Sequence, residues 1–298
     1  MFDYRQLQAL ATVMEEQSFD RAAKRLFLTQ SAISQRIRQL EESAGQLLLV
    51  RSQPLRLTSA GEQLHRHYHQ VTLLQSELLK TLDNAQEKGF TKLTIGLNAD
   101  TLATWFMDAL QPVLEQSDIL LDLRVDDQDQ THLLLRQGDV LGCISSSSKP
   151  LQGGNAVFLG ISRYLALASP GFIQRYFPNG VSADTLTSAP AVEYNEKDEL
   201  QDNFLSQFYP AVQTYPRHRV PSSEAFTELI RRGLAWGMAP DLQMKPLIES
   251  GAVIEIAPGQ SLEVPLYWHS WNLATETGKN LTRHLISYCH QHLEQPGR

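Results

Sequence analysis

Cysteine and long apolar runs are both scarce in this sequence of 298 residues. The two cysteines, Cys143 and Cys289, form no CxxC pair, which excludes a disulfide scaffold and a zinc finger. No stretch approaches the roughly 18 uninterrupted apolar residues of a membrane helix. The first residues lack the basic segment and the apolar stretch of a secretory signal. We therefore expect a cytoplasmic protein with no membrane partner.

Motifs of catalysis and of metal or phosphate binding are also missing. Neither GxSxG nor HExxH occurs, and the serine run at 145–148 lacks the Gly-Lys context of a phosphate loop. His65 and His69 would share a helix face, but His67 points away and the sequence offers no nearby acid or cysteine to complete a metal site. We expect neither an enzyme nor a bound cofactor.

Acidic residues outnumber basic ones and give a net charge of −7. The excess lies outside residues 1–60, which carry eight Lys and Arg against six Asp and Glu. Phosphate binding depends on local cationic surface, so the acidic whole-chain charge does not exclude a nucleic-acid partner.

Three short helices are predicted in the first 44 residues. Asp3 can cap the first helix in a capping box with Gln6, Ser18 can cap the second, and Thr29 can cap the third. The third helix turns Ile33, Ile37 and Leu40 inward at helical spacing. A tight connection between the second and third helices predicts a helix-turn-helix.

The outward face of the third helix carries short or forked hydrogen-bonding side chains, which are the side chains used at base edges in the major groove. A solvated polar face is the alternative, but it does not explain the short preceding helix, the Thr cap and the absence of acid before Glu41. The candidate DNA-binding residues, including two arginines in the segment that follows, are Ser18, Thr29, Gln30, Ser31, Ser34, Gln35, Arg36, Arg38, Arg51 and Arg56.

Residues 47–58 predict two short strands joined by a proline-containing turn, with Arg51 and Arg56 placed as on a wing that follows the phosphate backbone. Thr58 then caps a long helix that extends to about Glu87. Its apolar stripe suits pairing with a second helix, although packing on its own domain is the alternative.

These segments resemble a known family. The strings SFDRAAKRL at 18–26, TQSAISQRIRQLE at 29–41 and LTSAG at 57–61 resemble the winged helix-turn-helix of LysR-type transcriptional regulators. The resemblance implies that the long helix mediates dimerisation, and that a dimer or tetramer binds dyad-related half-sites of double-stranded DNA. Many members have Pro where this chain has Ser31 and Arg where it has Gln35, so their base preferences are not transferred.

Strands and helices alternate after residue 90. Predicted strands at 92–97, 119–125 and 140–145 are separated by predicted helices at 101–114 and 131–137. Such alternation predicts an α/β sheet that binds ligands at the carboxyl ends of its strands, where Asn98, Asp127 and Ser145 fall.

The family resemblance implies a bilobed α/β domain like the type 2 periplasmic binding proteins, with crossovers near 161–164 and 264–267. The expected boundaries are 1–58 for the winged helix-turn-helix, 59–89 for the linker helix and 90–298 for the effector-binding domain. Lobe I would comprise 90–162 with 267–298, and lobe II would comprise 163–266.

A finer resemblance, to the arginine- and lysine-responsive members, rests on the strings NADTLATW at 98–105, YFPNGV at 176–181, SSEAF at 222–226 and YWH at 267–269. A basic amino acid needs hydrogen-bond donors for its carboxylate and acidic acceptors for its cations. Helix capping by Asp100, a turn role for Asp127 and a core role for Trp105 are the alternatives. The candidate effector-binding residues are Asn98, Asp100, Thr101, Trp105, Asp127, Asp129, Ser145, Ser222, Ser223 and Glu224.

The resulting hypothesis is a dimeric or tetrameric DNA-binding regulator of amino-acid transport or metabolism genes, controlled by lysine or arginine and acting on RNA polymerase. One alternative is a DNA-architectural or replication-origin-binding protein whose DNA binding ignores amino acids. A second is a solute-binding protein without DNA function, which the helix-turn-helix and the absence of a signal sequence disfavour.

Overall fold

The computed structural model describes residues 2–82, 90–126, 131–272 and 276–296. The amino-terminal elements are α1 (Tyr4–Glu16), α2 (Phe19–Arg25), α3 (Gln30–Ala44), β1 (Leu49–Val50), β2 (Arg56–Leu57) and α4 (Ser59–Leu82). The next elements are β3 (Thr91–Leu97), α5 (Ala99–Thr104), α6 (Phe106–Glu115), β4 (Ile119–Val125), α7 (Thr131–Gln137), β5 (Gly142–Ser145) and β6 (Gly154–Ala168). The remaining elements are α8 (Pro170–Tyr176), α9 (Ala183–Ser188), β7 (Ala191–Glu193), α10 (Leu200–Phe208), β8 (Arg217–Arg219), α11 (Ser223–Arg231), β9 (Gly237–Pro240), α12 (Asp241–Glu249), β10 (Ile254–Glu255), β11 (Ser261–Trp271) and α13 (Glu276–His292).

The first domain is a winged helix-turn-helix. Asp3, Ser18 and Thr29 cap its three helices, each accepting a hydrogen bond from a backbone N–H group of the first turn. The predicted capping box of α1 is wrong, because the side chain of Asp3 accepts from the N–H group of Arg5 and not from that of Gln6, whose side chain donates to Oε1 of Gln39. Strands β1 and β2 pair as a two-stranded antiparallel wing. The helices enclose a core of apolar side chains from all three, which fixes the orientation of α3.

Helix α4 leaves this domain and packs on α7 of the following one. Nδ1 of His65 lies 2.9 Å from the carbonyl oxygen of Gln137, and the guanidinium of Arg66 lies 4.6 Å from the ring centroid of Trp271. Gly138 makes the close approach possible, since a Cβ there would lie 2.6 Å from Cα of Arg66. The linker helix therefore contacts the α/β domain through a tight backbone contact.

The α/β domain contains a sheet of seven strands, in which β10-β6-β11-β5-β3-β4 are neighbours in that order and β9 also pairs with β6. Strands β3, β4 and β5 are parallel, whereas the long strands β6 and β11 are antiparallel over the whole length of β11. The β6–β11 pairing shifts register between Leu266 and Tyr267. This pair connects two separate cores, and the shift lies within the predicted crossover region.

The two cores define two lobes. Lobe I buries residues of β3, α6, β11 and α13, including Phe106, Trp268 and Leu285. Lobe II buries residues of α8, α10 and β9, with Phe204 and Trp236 at its centre. The chain is thus a winged helix-turn-helix, a long linker helix and a bilobed α/β domain. Over its described residues, no helix combines the length and apolarity needed to cross a membrane.

Candidate DNA-binding face and ligand cleft

Helix α3 presents a polar face to solvent because its apolar residues are used in the core. Ile33, Ile37 and Leu40 are at most 2% exposed. The predicted DNA-binding residues that are exposed are Thr29, Gln30, Ser31, Gln35, Arg38, Arg51 and Arg56, and those that are half-buried are Ser18, Ser34 and Arg36. A helix with this face fits the width of a DNA major groove.

Two of these residues also have a local structural role. The hydroxyl of Ser18 accepts from the N–H group of Arg21, and that of Thr29 accepts from the N–H group of Ala32. Each hydroxyl therefore orients a helix end before any partner binds. The hydroxyls of Thr29 and Ser31 also lie 3.0 Å apart, which fixes the first turn of α3.

The cations of the domain fall into two groups. Arg21, Lys24 and Arg25 lie within ion-pair distance of carboxylates on α1 or α2. Arg38 and Arg56 have no such carboxylate among the described residues. Arg51 rests over the ring of Phe19 at 5.3 Å from its centroid. The face that carries α3 and the wing is therefore locally cationic and suited to phosphate.

A cleft lies between the two lobes and encloses about 820 Å³, including the part open to solvent. Parallel strands β3 and β4 end at this cleft, as the strand-end rule predicts. Its acidic lining residues are Asp100, Asp126, Asp198 and Glu199, and Lys197 is the one cationic side chain among the described lining residues. The lining of the cleft carries a net negative charge.

Asp100 is positioned by the strand that joins the lobes. Tyr164 of β6 is 1% exposed, and its hydroxyl donates to Oδ2 of Asp100 at 2.9 Å. Burial, and then the charge of Asp100, raise the pKa of Tyr164 well above its ordinary value, so the hydroxyl remains a donor. Asn98, not Asp100, caps α5 by accepting from the N–H group of Thr101. The carboxylate of Asp100 is therefore directed at the cleft.

An ion pair spans the cleft. Nζ of Lys197, which follows β7 in lobe II, lies 3.6 Å from Oδ1 of Asp126, which follows β4 in lobe I. Tyr194, on the same side as Lys197, lines the cleft, and burial followed by the charge of Asp100 raises its pKa. The two lobes thus face each other through charged and phenolic groups.

Three predicted ligand contacts are buried and lie outside the cleft lining. Trp105 is 4% exposed and lies in the core of lobe I beside Phe106, because its indole completes the apolar face of α6. Thr101 is 3% exposed, and its N–H group is already bound to Asn98. Ser145 is 1% exposed, and its hydroxyl accepts from the N–H group of Ser147. None of the three lines the cleft.

The remaining predicted effector-binding residues fall into those that line the cleft and those that lie outside its lining. Asn98, Asp100 and Ser223 line the cleft, and the hydroxyl of Ser223 accepts from the side-chain amide of Gln243. Ser222 and Glu224 are exposed and lie outside the lining, because Ser222 caps α11 and Glu224 belongs to its solvent-facing first turn. Asp127 and Asp129 lie outside the described residues.

Among the cleft residues that were not predicted are the charged and phenolic ones that carry the geometry above: Asp126, Tyr164, Tyr194 and Lys197. The strand-end rule could have found Asp126 and Tyr194, since they directly follow β4 and β7. Tyr164 gave no such signal. It lies within a long strand, and only the crossing of β6 from one lobe to the other brings its hydroxyl to Asp100.

The histidines of α4 form a contact cluster at the junction of the domains. Nε2 of His69 lies 3.2 Å from Nε2 of His65, and the nearest oxygen of Glu15 lies 4.0 Å from His69. Within the described part of the chain, no group of three His, Cys, Asp or Glu residues is arranged to hold a metal ion.

Comparison with known proteins places this architecture in a family. The profile described as bacterial regulatory helix-turn-helix protein, lysR family, matches residues 4–62, and the LysR substrate binding domain matches residues 86–294. The HTH-type transcriptional regulator ArgP of Aeromonas salmonicida is 42% identical over 99% of both chains.

Two solved structures are similar over nearly the whole chain. ArgP from Mycobacterium tuberculosis is 38% identical, with a TM-score of 0.86 over 97% of this chain and 98% of that one. Full-length LysG from Corynebacterium glutamicum with bound effector Arg is 33% identical, with a TM-score of 0.79 over 98% of this chain and all of that one. The finer resemblance found in the sequence thus agrees with these relatives.

Proposed function

This chain belongs to the LysR family of bacterial transcriptional regulators, and from that premise we propose that lysine or arginine, bound in the cleft, controls its binding to operator DNA. As a member of this family the chain is an effector-responsive DNA-binding regulator and not an enzyme. The acid-lined cleft between the lobes carries the proposal about the ligand. The proposed targets are genes of amino-acid transport or metabolism, which implies action in the cytoplasm.

The proposed DNA-reading residues are those on the outward face of α3. Gln30 and Gln35 can pair with adenine, Arg38 can pair with guanine, and the serines can contact bases or phosphates. Arg51 and Arg56 of the wing would follow the phosphate backbone. The support is their exposure, together with the burial of Ile33 and Ile37 on the opposite face.

The proposed effector is cationic because the cleft is acidic. Asp100 and Asp126 provide carboxylates from lobe I, and Lys197 faces them from lobe II. Carboxylates on one lobe and an ammonium group on the other favour a zwitterionic ligand whose side chain carries a second positive charge. LysG, which matches 98% of this chain, holds arginine as its effector, which supports the same class of ligand here.

The proposed route from cleft to DNA runs through α7. Asp126 lines the cleft, and Thr131 begins α7 five residues later in the chain. The carboxyl end of α7 contacts α4, where the carbonyl oxygen of Gln137 accepts from Nδ1 of His65 and Gly138 abuts Arg66. A ligand that binds one lobe arrangement more tightly would shift the orientation of α4 and of the attached helix-turn-helix.

A second copy of the chain is the proposed partner of α4. Leu74 and Leu78 are 43% and 56% exposed on this helix. An exposed helix of this length requires a partner for its apolar stripe. We therefore propose a homodimer, or a tetramer made from two dimers, that contacts RNA polymerase at the promoter.

The proposed domains are 1–58 for the winged helix-turn-helix, 59–89 for the linker helix and 90–298 for the effector-binding domain.

The experiment that tests this function combines DNA binding and calorimetry. The chain should shift DNA from upstream of its target genes, and the affinity should fall steeply as salt rises, because phosphate contacts release counterions. Calorimetry with lysine and arginine should detect binding, and the bound amino acid should change the footprint. A footprint that is indifferent to both amino acids would instead support a purely architectural DNA-binding protein.

A further inference from the structure

The loop at 194–199 presents Lys197 to the cleft in a conformation fixed by its own side chains. The carboxylate of Asp198 accepts from the N–H groups of Tyr194 at 2.8 Å and Leu200 at 3.1 Å. Oδ1 of Asn195 accepts from the N–H group of Lys197 at 2.7 Å. The backbone of Lys197 is therefore held at the mouth of lobe II before any ligand binds, which lowers the entropic cost of ordering the loop.

The ion pair of Lys197 with Asp126 is one that a ligand can replace. Its atoms are 3.6 Å apart, and the two side chains remain 57% and 40% exposed. Ion pairs of such exposure contribute about 0–1 kcal/mol. The pair therefore aligns two opposite charges across the cleft without a strong bond between them.

We propose that an α-amino acid inserts into this ion pair, with its carboxylate on Lys197 and its α-ammonium group on Asp126. This inference rests on the proposed function and deepens it by assigning the subsite of the main-chain groups. Asp100, held by Tyr164, is then left for the cation of the side chain. The ligand replaces a direct contact between the lobes with a bridged one.

Charge decides that Lys197 receives the carboxylate. The other donors in the lining, such as Asn203, Ser223 and Gln243, are neutral, and the acidic residues repel a carboxylate. Hydrogen bonds between two charged groups are about twice as strong as neutral ones. Without Lys197 the cleft would favour a diamine over an amino acid. Lys197 is therefore the residue that specifies a zwitterion.

The test compares arginine with agmatine, which keeps both cations of arginine but lacks the carboxylate. Calorimetry of the full-length wild type should give tighter binding of arginine than of agmatine. Lys197→Met should weaken the binding of arginine by roughly ten- to hundred-fold, which is the effect of losing a charge-assisted hydrogen bond. Agmatine should bind the variant as well as, or better than, it binds the wild type.

Two further variants complete the experiment. Asp126→Asn should weaken the binding of arginine and of agmatine to the same extent, because both ligands keep the ammonium group. Lys245→Met removes an exposed cation of α12 outside the cleft lining and should change neither affinity. Because Lys197 is exposed, its variant is expected to retain the wild-type melting temperature, which is measured in parallel.

The results separate this inference from the proposed function. If wild type binds arginine and Lys197→Met binds it equally well or more tightly, the inference is overturned while the proposed function stands, and Lys197 is then a competitor of the ligand's cation. If wild type binds neither lysine nor arginine, both fail. A preference for arginine over agmatine that disappears in Lys197→Met supports the assignment.

Discussion

The hydroxyl of Tyr164 donates a 2.9 Å hydrogen bond to Oδ2 of Asp100, so the strand that joins the two lobes is tied directly to a carboxylate of the cleft. Tyr164 is buried, whereas Asp100 faces the space between the lobes. The bond fixes the orientation of the carboxylate at the position about which the lobes would move. Cleft geometry and strand geometry are therefore coupled through one pair of side chains.

Tyr164→Phe should weaken the binding of lysine and arginine several-fold and destabilise the fold by about 1–3 kcal/mol, since a buried hydrogen bond to a charged group is lost. The matched control is Tyr215→Phe, which removes a bond from Tyr215 to Glu193 and Asp202 in lobe II. Both variants should have a lower melting temperature than wild type, but only Tyr164→Phe should bind lysine and arginine more weakly in calorimetry. Equal ligand affinities in the two variants would contradict the positioning role.

Gly138→Ala should uncouple ligand binding from DNA binding. Gly138 has φ +82°, and an added Cβ would lie 2.6 Å from Cα of Arg66, so α7 and α4 must separate. We expect a stability loss of about 1 kcal/mol or more from the backbone conformation, with further loss from the clash. Calorimetry should still detect the amino acid, whereas its effect on the DNA footprint should shrink.

Gly259→Ala is the control for this prediction. Gly259 has φ +80° and no atom within 4 Å of an added Cβ, so it carries the same backbone strain without the clash. A footprint response in Gly138→Ala equal to that of Gly259→Ala would contradict a coupling role for the contact between α7 and α4.

The fold was predictable from the sequence wherever local chemistry determines it. The caps at Ser18 and Thr29, the buried Ile33 and Ile37, and the strand at 119–125 all follow from spacing and propensity. The helix predicted at 101–114 is wrong in its boundaries. It divides at Trp105, because that residue must enter the core of lobe I rather than continue the amphipathic face.

The cleft was predictable only in part. Strand ends indicated Asn98, which lines the cleft, because its position follows from the order of the elements. Tyr164 and Lys197 belong to the cleft through the crossing of β6 and the approach of lobe II, which are tertiary relationships without a local signal. Thr101 was a plausible donor by type, but its burial and its bond to Asn98 are visible only in the folded chain.

Arg38→Ala should weaken operator binding by roughly ten- to hundred-fold, the effect of losing a bidentate contact to a base. The melting temperature should change little, because Arg38 is exposed and makes no ion pair with a described carboxylate. Gel-shift titration at fixed salt measures the affinity, with Lys245→Ala as a charge-matched control in the α/β domain. If Arg38→Ala instead unfolds the protein, the face assigned to DNA is wrong.

Acid should destabilise the junction between the domains through His69. Burial, followed by the positive charges of His65 and Lys92, lowers the pKa of His69 to about 3. Since an unfolded histidine has a pKa of about 6.5, the unfolded chain binds the proton more tightly. Stability contributed by neutral His69 is therefore complete above about pH 6.5 and is lost progressively as the pH falls toward 3.

Melting temperatures at pH 7 and pH 5 measure this effect by comparing wild type with His69→Gln. Burial also lowers the pKa of His132 and of His269, so these residues destabilise both proteins in the same direction. Only the difference between the two proteins reports His69, and it should make wild type the more acid-sensitive. His290→Gln, at an exposed position of α13, should match wild type. A wild type that loses less stability on acidification than His69→Gln would mean that Glu15 stabilises the protonated imidazole across the 4.0 Å gap, which reverses the sign.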